Sequence, residues 1–515
     1  MNFRRLVARI PDPDLAIAGL AFVLGVLVSH PPAVLALSRL PHFAGWADQG
    51  QYLRSADAFA HGNLQPSAHW YPLLYPLALA LFAWTPMLIA TTIVDLACYC
   101  ACFAGYRAVF RRLGLSRAGV VITFLLGTIA YPVTGDGWLM PWTTTLSAAL
   151  VWGAFGLVAR LMDPTVRGAS PWLLGVVLGL IPLCRPADVA VGAAIFLIAV
   201  PSFVAARDWL ALGATVAAGL ATVGAGGLLH LAIYGLQLSD YMLMSSDYGA
   251  NFAWLGWKAA LILLDPRPWY PYGYGVLKIM PWLPIGVAGM VIGAIEPRRR
   301  NLTLLLLVPG TIGTAIMLAY VDFLPSGLWK YGNSHYFKWI VPMLAGFTWL
   351  YCRDFYRHRV MSLVVLLVVL IPTAIRIVPV AAGPANPARM IVFAPVKAPS
   401  EGVYFSHTLI SDGLGTLASH YQFRTIAAAP DGPVIAEALH RDFAGDERWI
   451  YPPKVDLWRK EGAHDDGPVM PPPFVMQPIA RYRPAIGFGW PCWLPPYACV
   501  TTLPMPGTPG ATARN

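Results

Sequence analysis

Asp48 and Tyr52 stand four residues apart, a spacing that sets both on one face of a helix. A carboxylate at Asp48, with His42, Arg54, His61 and His69 nearby in sequence, can serve as a general base. The competing reading is a helix N-cap after Gly45-Trp46-Ala47, a role that contributes about 1 kcal/mol. Arg185 ends an apolar run in Leu183-Cys184-Arg185-Pro186-Ala187-Asp188. A charge near the centre of a membrane helix costs about 2.5–3.5 kcal/mol and usually marks function, less so at an end. Lys330 and Lys338 can carry chemistry or snorkel to lipid headgroups. Arg267 in Asp265-Pro266-Arg267-Pro268 reads better as a turn or local ion pair than as a site residue, and a turn accounts for Asp136 in Gly135-Asp136-Gly137 nearly as well as a site role. His61 and His69 suit a phosphate or a metal, but their spacing specifies neither.

The elements that must position these residues follow from composition. Of 515 residues, 57% are hydrophobic and 12% charged, with mean hydropathy +0.57. Soluble domains carry about 25% charged residues, so soluble, disordered and disulfide-scaffold classes are excluded. Apolar runs and their breakers predict eleven spans near 14–36, 86–106, 118–134, 142–161, 171–184, 187–205, 209–233, 279–295, 302–321, 338–352 and 360–380, each long enough to approach or cross a bilayer core. The fifth is short and stops at Arg185-Pro186, as a broken helix would. The first reads as an uncleaved anchor rather than a signal peptide, since no small-residue cleavage site follows it.

The net charge of +10 resides entirely in residues 1–381. With the N-terminus inside, 16 of the 25 basic residues there, all Arg, fall in short cytoplasmic loops, as the positive-inside rule asks. The expected protein is an all-α polytopic membrane protein of the bacterial inner membrane, N-terminus cytoplasmic and C-terminus periplasmic. No basic run interleaved with aromatics suggests a nucleic-acid partner.

The outer loops, about 37–85, 234–278 and 322–337, are long and rich in Trp, Tyr, Pro and Gly. Trp46, Trp70, Trp138, Trp142, Trp254, Trp257, Trp269, Trp282, Trp329 and Trp339 fall at this face, where an interfacial belt accounts for many of them. Residues 250–264 read as an amphipathic helix in the interface, and together the loops suggest a roofed cavity at the outer leaflet. Residues 382–515 form a second, periplasmic region, expected to be a small mixed domain with its last ten or so residues disordered. Cys492 and Cys499 can pair on that oxidising side.

Nucleotide-sugar chemistry finds no site. There is no P-loop, no Gly-rich dinucleotide motif and no His/Cys zinc constellation. Asp12-Pro13-Asp14 matches a D-x-D metal motif, but precedes the first span on the inner side, where helix capping accounts for it better.

Asp48, Tyr52, Ala56 and Gly62 after the first span resemble the first periplasmic loop of GT-C membrane glycosyltransferases. That superfamily includes protein O-mannosyltransferases, aminoarabinose transferases and bacterial lipid A or polysaccharide modifying enzymes. Tyr71-Pro72-Leu73-Leu74-Tyr75-Pro76, Arg185-Pro186 with Asp188, and His335-Tyr336-Phe337-Lys338 before Pro342 are similar to three further stretches of that family, in the same order and over roughly residues 1–380. Two positions depart: Trp70 stands where a basic residue often precedes the Pro-Leu-Tyr stretch, and His335 stands for a late Arg.

The resemblance implies a polyprenyl-phosphate sugar donor, a lipid, glycan or protein acceptor hydroxyl, and inverting transfer on the periplasmic face. It implies Asp48 as base, with Tyr52, Tyr71 and Asp136 supporting the pocket, and Arg185, His335, Lys338, Lys330, Arg267 and His61 as donor-phosphate contacts. Glycosidases pair a base with an acid for an alkoxide leaving group; a departing phosphate is a weaker base, so one carboxylate with cations suffices. Asp48 and Asp136 either flank a divalent cation or work without one. The alternatives are a multi-span transporter or flippase, and a pyrophosphate-linked glycan polymerase or ligase.

Overall fold

The computed structural model describes residues 12–29, 47–85, 87–163, 170–248, 255–264, 275–320 and 333–354, isolated positions at 250, 252 and between 359 and 367, and six strands between 390 and 478. Among the described residues, ten helices match the first ten predicted spans: α1 (Pro13–Ser29), α4 (Met87–Arg112), α5 (Arg117–Thr128), α7 (Thr143–Leu161), α8 (Pro171–Cys184), α9 (Val189–Ala206), α10 (Trp209–Tyr234), α14 (Leu283–Ile295), α15 (Arg300–Ala319) and α16 (Ile340–Asp354). Five stretches within them, counting the turn before α9, are long and apolar enough to cross a membrane: Ile89–Arg112, Thr143–Leu161, Pro186–Ala206, Trp209–Tyr234 and Arg300–Ala319. The eleventh span lies largely outside the described residues.

Shorter helices lie between these: α2 (Ala47–Ala60), α3 (Leu74–Ala80), α6 (Pro132–Leu139), α11 (Asp240–Tyr248), α12 (Leu255–Leu263) and α13 (Val276–Ile279). Within 250–264, where an amphipathic helix is expected, the structure has the helix α12 (Leu255–Leu263). Gly135-Asp136-Gly137 is not the expected turn; it lies within α6.

Local chemistry sets the helix ends. Ser116 caps α5 by accepting from the Gly119 N–H, and Asp208 caps α10 by accepting from the Ala211 N–H. Each satisfies a donor that would otherwise lack a helical partner. Asp12 does the same for Leu15 at 3.2 Å and also takes the Arg107 guanidinium at 2.6 Å. Asp14 pairs with Arg117 at 2.9 Å, so both carboxylates of Asp12-Pro13-Asp14 are occupied by arginines and a cap.

These pairs belong to one end of the bundle. Arg112 meets Asp163 at 3.4 Å, Arg299 meets Asp354 at 2.5 Å, and Arg353 donates to the Gly114 carbonyl. The arginine-rich ends of α4, α7, α15 and α16 and the start of α5 therefore gather on one side, opposite the ends that carry Asp48, Arg185 and His335.

Inside, Tyr99, Phe103, Tyr106, Phe110, Phe124, Trp138 and Trp152 are fully buried and pack edge-on or tilted against one another. Membrane helices associate through close packing of small residues rather than through the hydrophobic effect. Gly105 of α4 shows this: a Cβ there would lie 2.1 Å from the Trp152 carbonyl oxygen of α7. The interfacial belt is only part of the tryptophan distribution. Trp84, Trp172 and Trp209 are exposed as a belt requires, whereas Trp138, Trp142 and Trp339 are buried in the bundle.

The described part of the C-terminal region is a six-stranded antiparallel sheet in the order β5-β2-β3-β4-β1-β6, with β1 Met390–Pro395, β2 Val403–Ser411, β3 Gly415–Ala427, β4 Pro433–His440, β5 Trp458–Lys460 and β6 Val475–Pro478. The β2–β3 hairpin pairs Val403 with Phe423 through Ser411 with Gly415, and a bulge at Thr425–Ala427 interrupts β3 against β4. The mixed domain expected here is all strand among its described residues. Cys492, Cys499 and the final residues lie outside them.

Candidate active site

Asp48 sits within the first turn of α2, where a carboxylate is favoured by the helix dipole. Its Oδ1 accepts the Tyr71 hydroxyl at 2.6 Å. Burial holds the Asp48 carboxyl above the usual carboxylate range, and the Tyr71 hydrogen bond only partly offsets that rise. Tyr52, one turn along α2, packs edge-on to Tyr71 and Tyr75 with ring centroids 4.9 and 5.6 Å away. Gln49 anchors the same helix by donating to the Pro141 carbonyl at 3.0 Å.

The Tyr-Pro-Leu-Leu-Tyr-Pro stretch supplies two hydroxyls in opposite directions. Tyr71 reaches out to Asp48, while Tyr75, on α3, donates to Asp95 of α4 at 2.9 Å. Asp95 is 3% exposed and lies two turns inside an apolar span.

A second group gathers at the start of α7. Its first residues, Thr143, Thr144, Thr145 and Ser147, are all buried, and each holds a different side chain. Thr143 hydrogen-bonds Tyr52. Thr144 Oγ1 meets His335 Nδ1 at 3.0 Å, Thr145 Oγ1 accepts from Lys338 Nζ at 2.6 Å, and Ser147 Oγ donates to Asp188 Oδ2 at 2.5 Å. Asp188 belongs to the 3-10 turn Pro186–Asp188 between α8 and α9, formed because Pro186 cannot continue α8. Its Oδ2 also faces Arg185 Nη1 at 3.4 Å.

His335 lies on the 3-10 turn Asn333–Phe337, stacked flat on Trp142 at 3.7 Å and 14°. Burial first, and then the charges of Lys338 and Arg185, hold its imidazole well below the usual histidine range. That direction favours the neutral imidazole as a hydrogen-bonding group. Gly137 of α6 permits this packing, since a Cβ there would come within 3.3 Å of the His335 Cα. Arg185 lies over the Tyr336 ring at 4.9 Å, a cation–π contact. Tyr241 of α11 packs tilted against Tyr71 with ring centroids 4.9 Å apart, and Tyr241 and Tyr336 both lie near Tyr52 and Arg185. The Asp48 group and the Arg185–His335 group thus share one aromatic-walled region.

No family model and no curated protein matches the chain. Among solved structures it is similar to ArnT from Cupriavidus metallidurans bound to undecaprenyl phosphate, at 16% identity and a TM-score of 0.44. The match covers 71% of this chain and 66% of that one.

Of the residues singled out in sequence, the structure brings Asp48, Tyr52, Tyr71, Arg185, His335 and Lys338 to this end of the bundle. His61 is not among them. It is exposed, and its Nδ1 binds the Asp57 carbonyl at 2.9 Å, closing the end of α2. The buried histidine of that loop is His69, held between Ser55 Oγ at 2.7 Å and the Asn63 carbonyl at 2.8 Å. Lys330, Arg267 and the Asp136 side chain lie outside the described residues. No group of three or more His, Cys, Asp or Glu with metal-ligand geometry occurs among the described residues. The α7 hydroxyls and the Tyr75–Asp95 contact escaped sequence reading. The signal for the first was present: three consecutive threonines opening an apolar span.

Proposed function

We propose that the protein is a membrane glycosyltransferase of the GT-C type, which takes a sugar from a polyprenyl-phosphate donor and passes it to an acceptor hydroxyl. The observation that carries this reading is Asp48. It is a half-buried carboxylate oriented by one tyrosine hydroxyl and set beside a group rich in cationic and neutral donors, without a second carboxylate at hydrogen-bonding distance among the described residues. The order of the sequence motifs along the chain supports it as well.

In this reading Asp48 takes the proton of the acceptor hydroxyl as that oxygen attacks the anomeric carbon from the face opposite the phosphate. The bond from the anomeric carbon to the phosphate oxygen breaks, its electron pair stays with that oxygen, and the sugar is inverted. Arg185, His335 and Lys338 hold the phosphate and stabilise its growing charge, as preorganised donors do. Tyr71 orients the base, and Tyr52 and Asp136 complete the pocket. The clustering of arginines at the opposite end supports an orientation with that end in the cytoplasm and the site outside.

The test is transfer by purified protein in lipid, using a panel of radiolabelled polyprenyl-phosphate sugars and a membrane-extract acceptor. Release of polyprenyl phosphate that is lost in Asp48→Asn supports the assignment. Folded wild-type protein that turns over none of the donors overturns it.

A further inference from the structure

Three buried nitrogens around the start of α7 have no hydrogen-bond partner among the described residues: Trp138 Nε1, Trp142 Nε1 and His335 Nε2. Their residues are 0%, 3% and 3% exposed. An orphaned buried polar group is expensive to maintain, and three in one neighbourhood call for an account. They are connected. Trp142 and His335 are stacked, Trp138 faces Lys338 Nζ at 5.3 Å from its ring centroid, and Gly137 brings α6 against the His335 backbone.

Two further observations have the same sign. Lys338 spends one hydrogen bond on Thr145, and an ammonium has three to give. Trp142 is the N-cap of the 19-residue α7 and supplies no side-chain cap, which leaves the positive end of that helix open to an anion. Indole nitrogens only donate. What is missing here is an acceptor-rich group. A sugar hydroxyl, which must also donate, fits this set less well than an oxyanion.

We propose that Trp138, Trp142, His335 and Lys338, with the uncapped start of α7, form a buried site for a phosphoryl oxyanion, in which the two indole N–H groups determine specificity. The proposal rests on the transferase reading for the source of the phosphate and adds the two indoles and the helix end to the residues named there. His335 presents Nε2–H to the anion, so its Nδ1 accepts from the Thr144 hydroxyl. The three nitrogens are closed off in the present arrangement, so occupancy requires the Trp142–His335 stack to part.

The experiment measures binding to full-length protein in nanodiscs, with polyprenyl phosphate, polyprenol and inorganic phosphate as separate probes, and with tryptophan fluorescence reporting on the stack. Trp142→Phe and Trp138→Phe keep a ring and remove the donor. The expected result is a loss of about tenfold or more in affinity for polyprenyl phosphate, with polyprenol binding unchanged. A matching loss for inorganic phosphate supports a site open to free phosphate; a loss confined to the lipid supports a headgroup site. Wild-type affinity for both phosphates in both variants overturns the proposal. If Trp138→Phe does not fold, Trp142→Phe alone decides. Binding needs no turnover, so the outcomes separate: absence of transfer from every donor by folded wild-type protein sinks the transferase reading and leaves Trp-dependent binding standing. Asp48-dependent transfer with unaltered phosphate binding in the Phe variants sinks this site alone.

Discussion

Tyr75 donates its hydroxyl to Asp95 at 2.9 Å, one turn after Tyr71 donates to Asp48 at 2.6 Å. One short stretch therefore orients two aspartates: Asp48, half-buried at the start of α2, and Asp95, sealed within α4.

Replacing Asp48 by Asn should lower transfer by about 10²–10⁴-fold, the usual contribution of a general base. The fold should persist. Burial raises the Asp48 pKa, so the folded state holds this proton more tightly than the unfolded chain, and stability from the group declines as pH rises through its folded value. A neutral Asn removes that loss. Thermal melts in detergent at neutral pH should show Asp48→Asn at least as stable as wild type.

Tyr71→Phe should move the acid limb of the kcat/KM profile to higher pH. Only ionised Asp48 can accept a proton, and Tyr71 is the contact that favours ionisation against burial. Removing it raises the carboxyl further. A profile with an unmoved acid limb would show that the limb belongs to another group.

Tyr75→Phe should act on stability instead. It leaves the Asp95 carboxylate short of its hydroxyl donor inside a span, a loss of about 1–3 kcal/mol. The acid limb assigned to Asp48 should stay in place, which separates the two tyrosines by a pair of measurements on each variant.

Gly105→Ala should destabilise by about 1–3 kcal/mol or more, because the new methyl would meet the Trp152 carbonyl oxygen at 2.1 Å and force α4 from α7. Loss of ordered helix packing, read by denaturant titration or protease resistance, checks it.

The spans were legible because a helix in lipid must be apolar over its length, and the breakers between them, such as Arg185-Pro186, act locally. Tryptophan placement was only partly so. Trp138 lies in the short helix α6 and Trp142 caps the start of α7; both look interfacial in sequence, yet tertiary packing buries them against His335 and Lys338. His61 and His69 are equivalent by type, and only the fold of the loop decides that one caps a helix in solvent while the other is enclosed. Asp95 is an acid within the 86–106 apolar run, but nothing in the sequence names its tyrosine partner, which lies on a different element 20 residues away.

The start of α7 meets Tyr52, His335, Lys338 and Asp188 through the hydroxyls of Thr143, Thr144, Thr145 and Ser147. Those four residues come from three separate stretches of chain, His335 and Lys338 sharing one, so α7 acts as a common rail on which they are registered. A displacement of that helix along its axis by one residue, about 1.5 Å, would dislodge all four together. The Tyr52 side and the His335–Lys338 side of the pocket therefore share a single mechanical coordinate, and a ligand that draws on His335 or Lys338 also pulls on the helix that holds Tyr52.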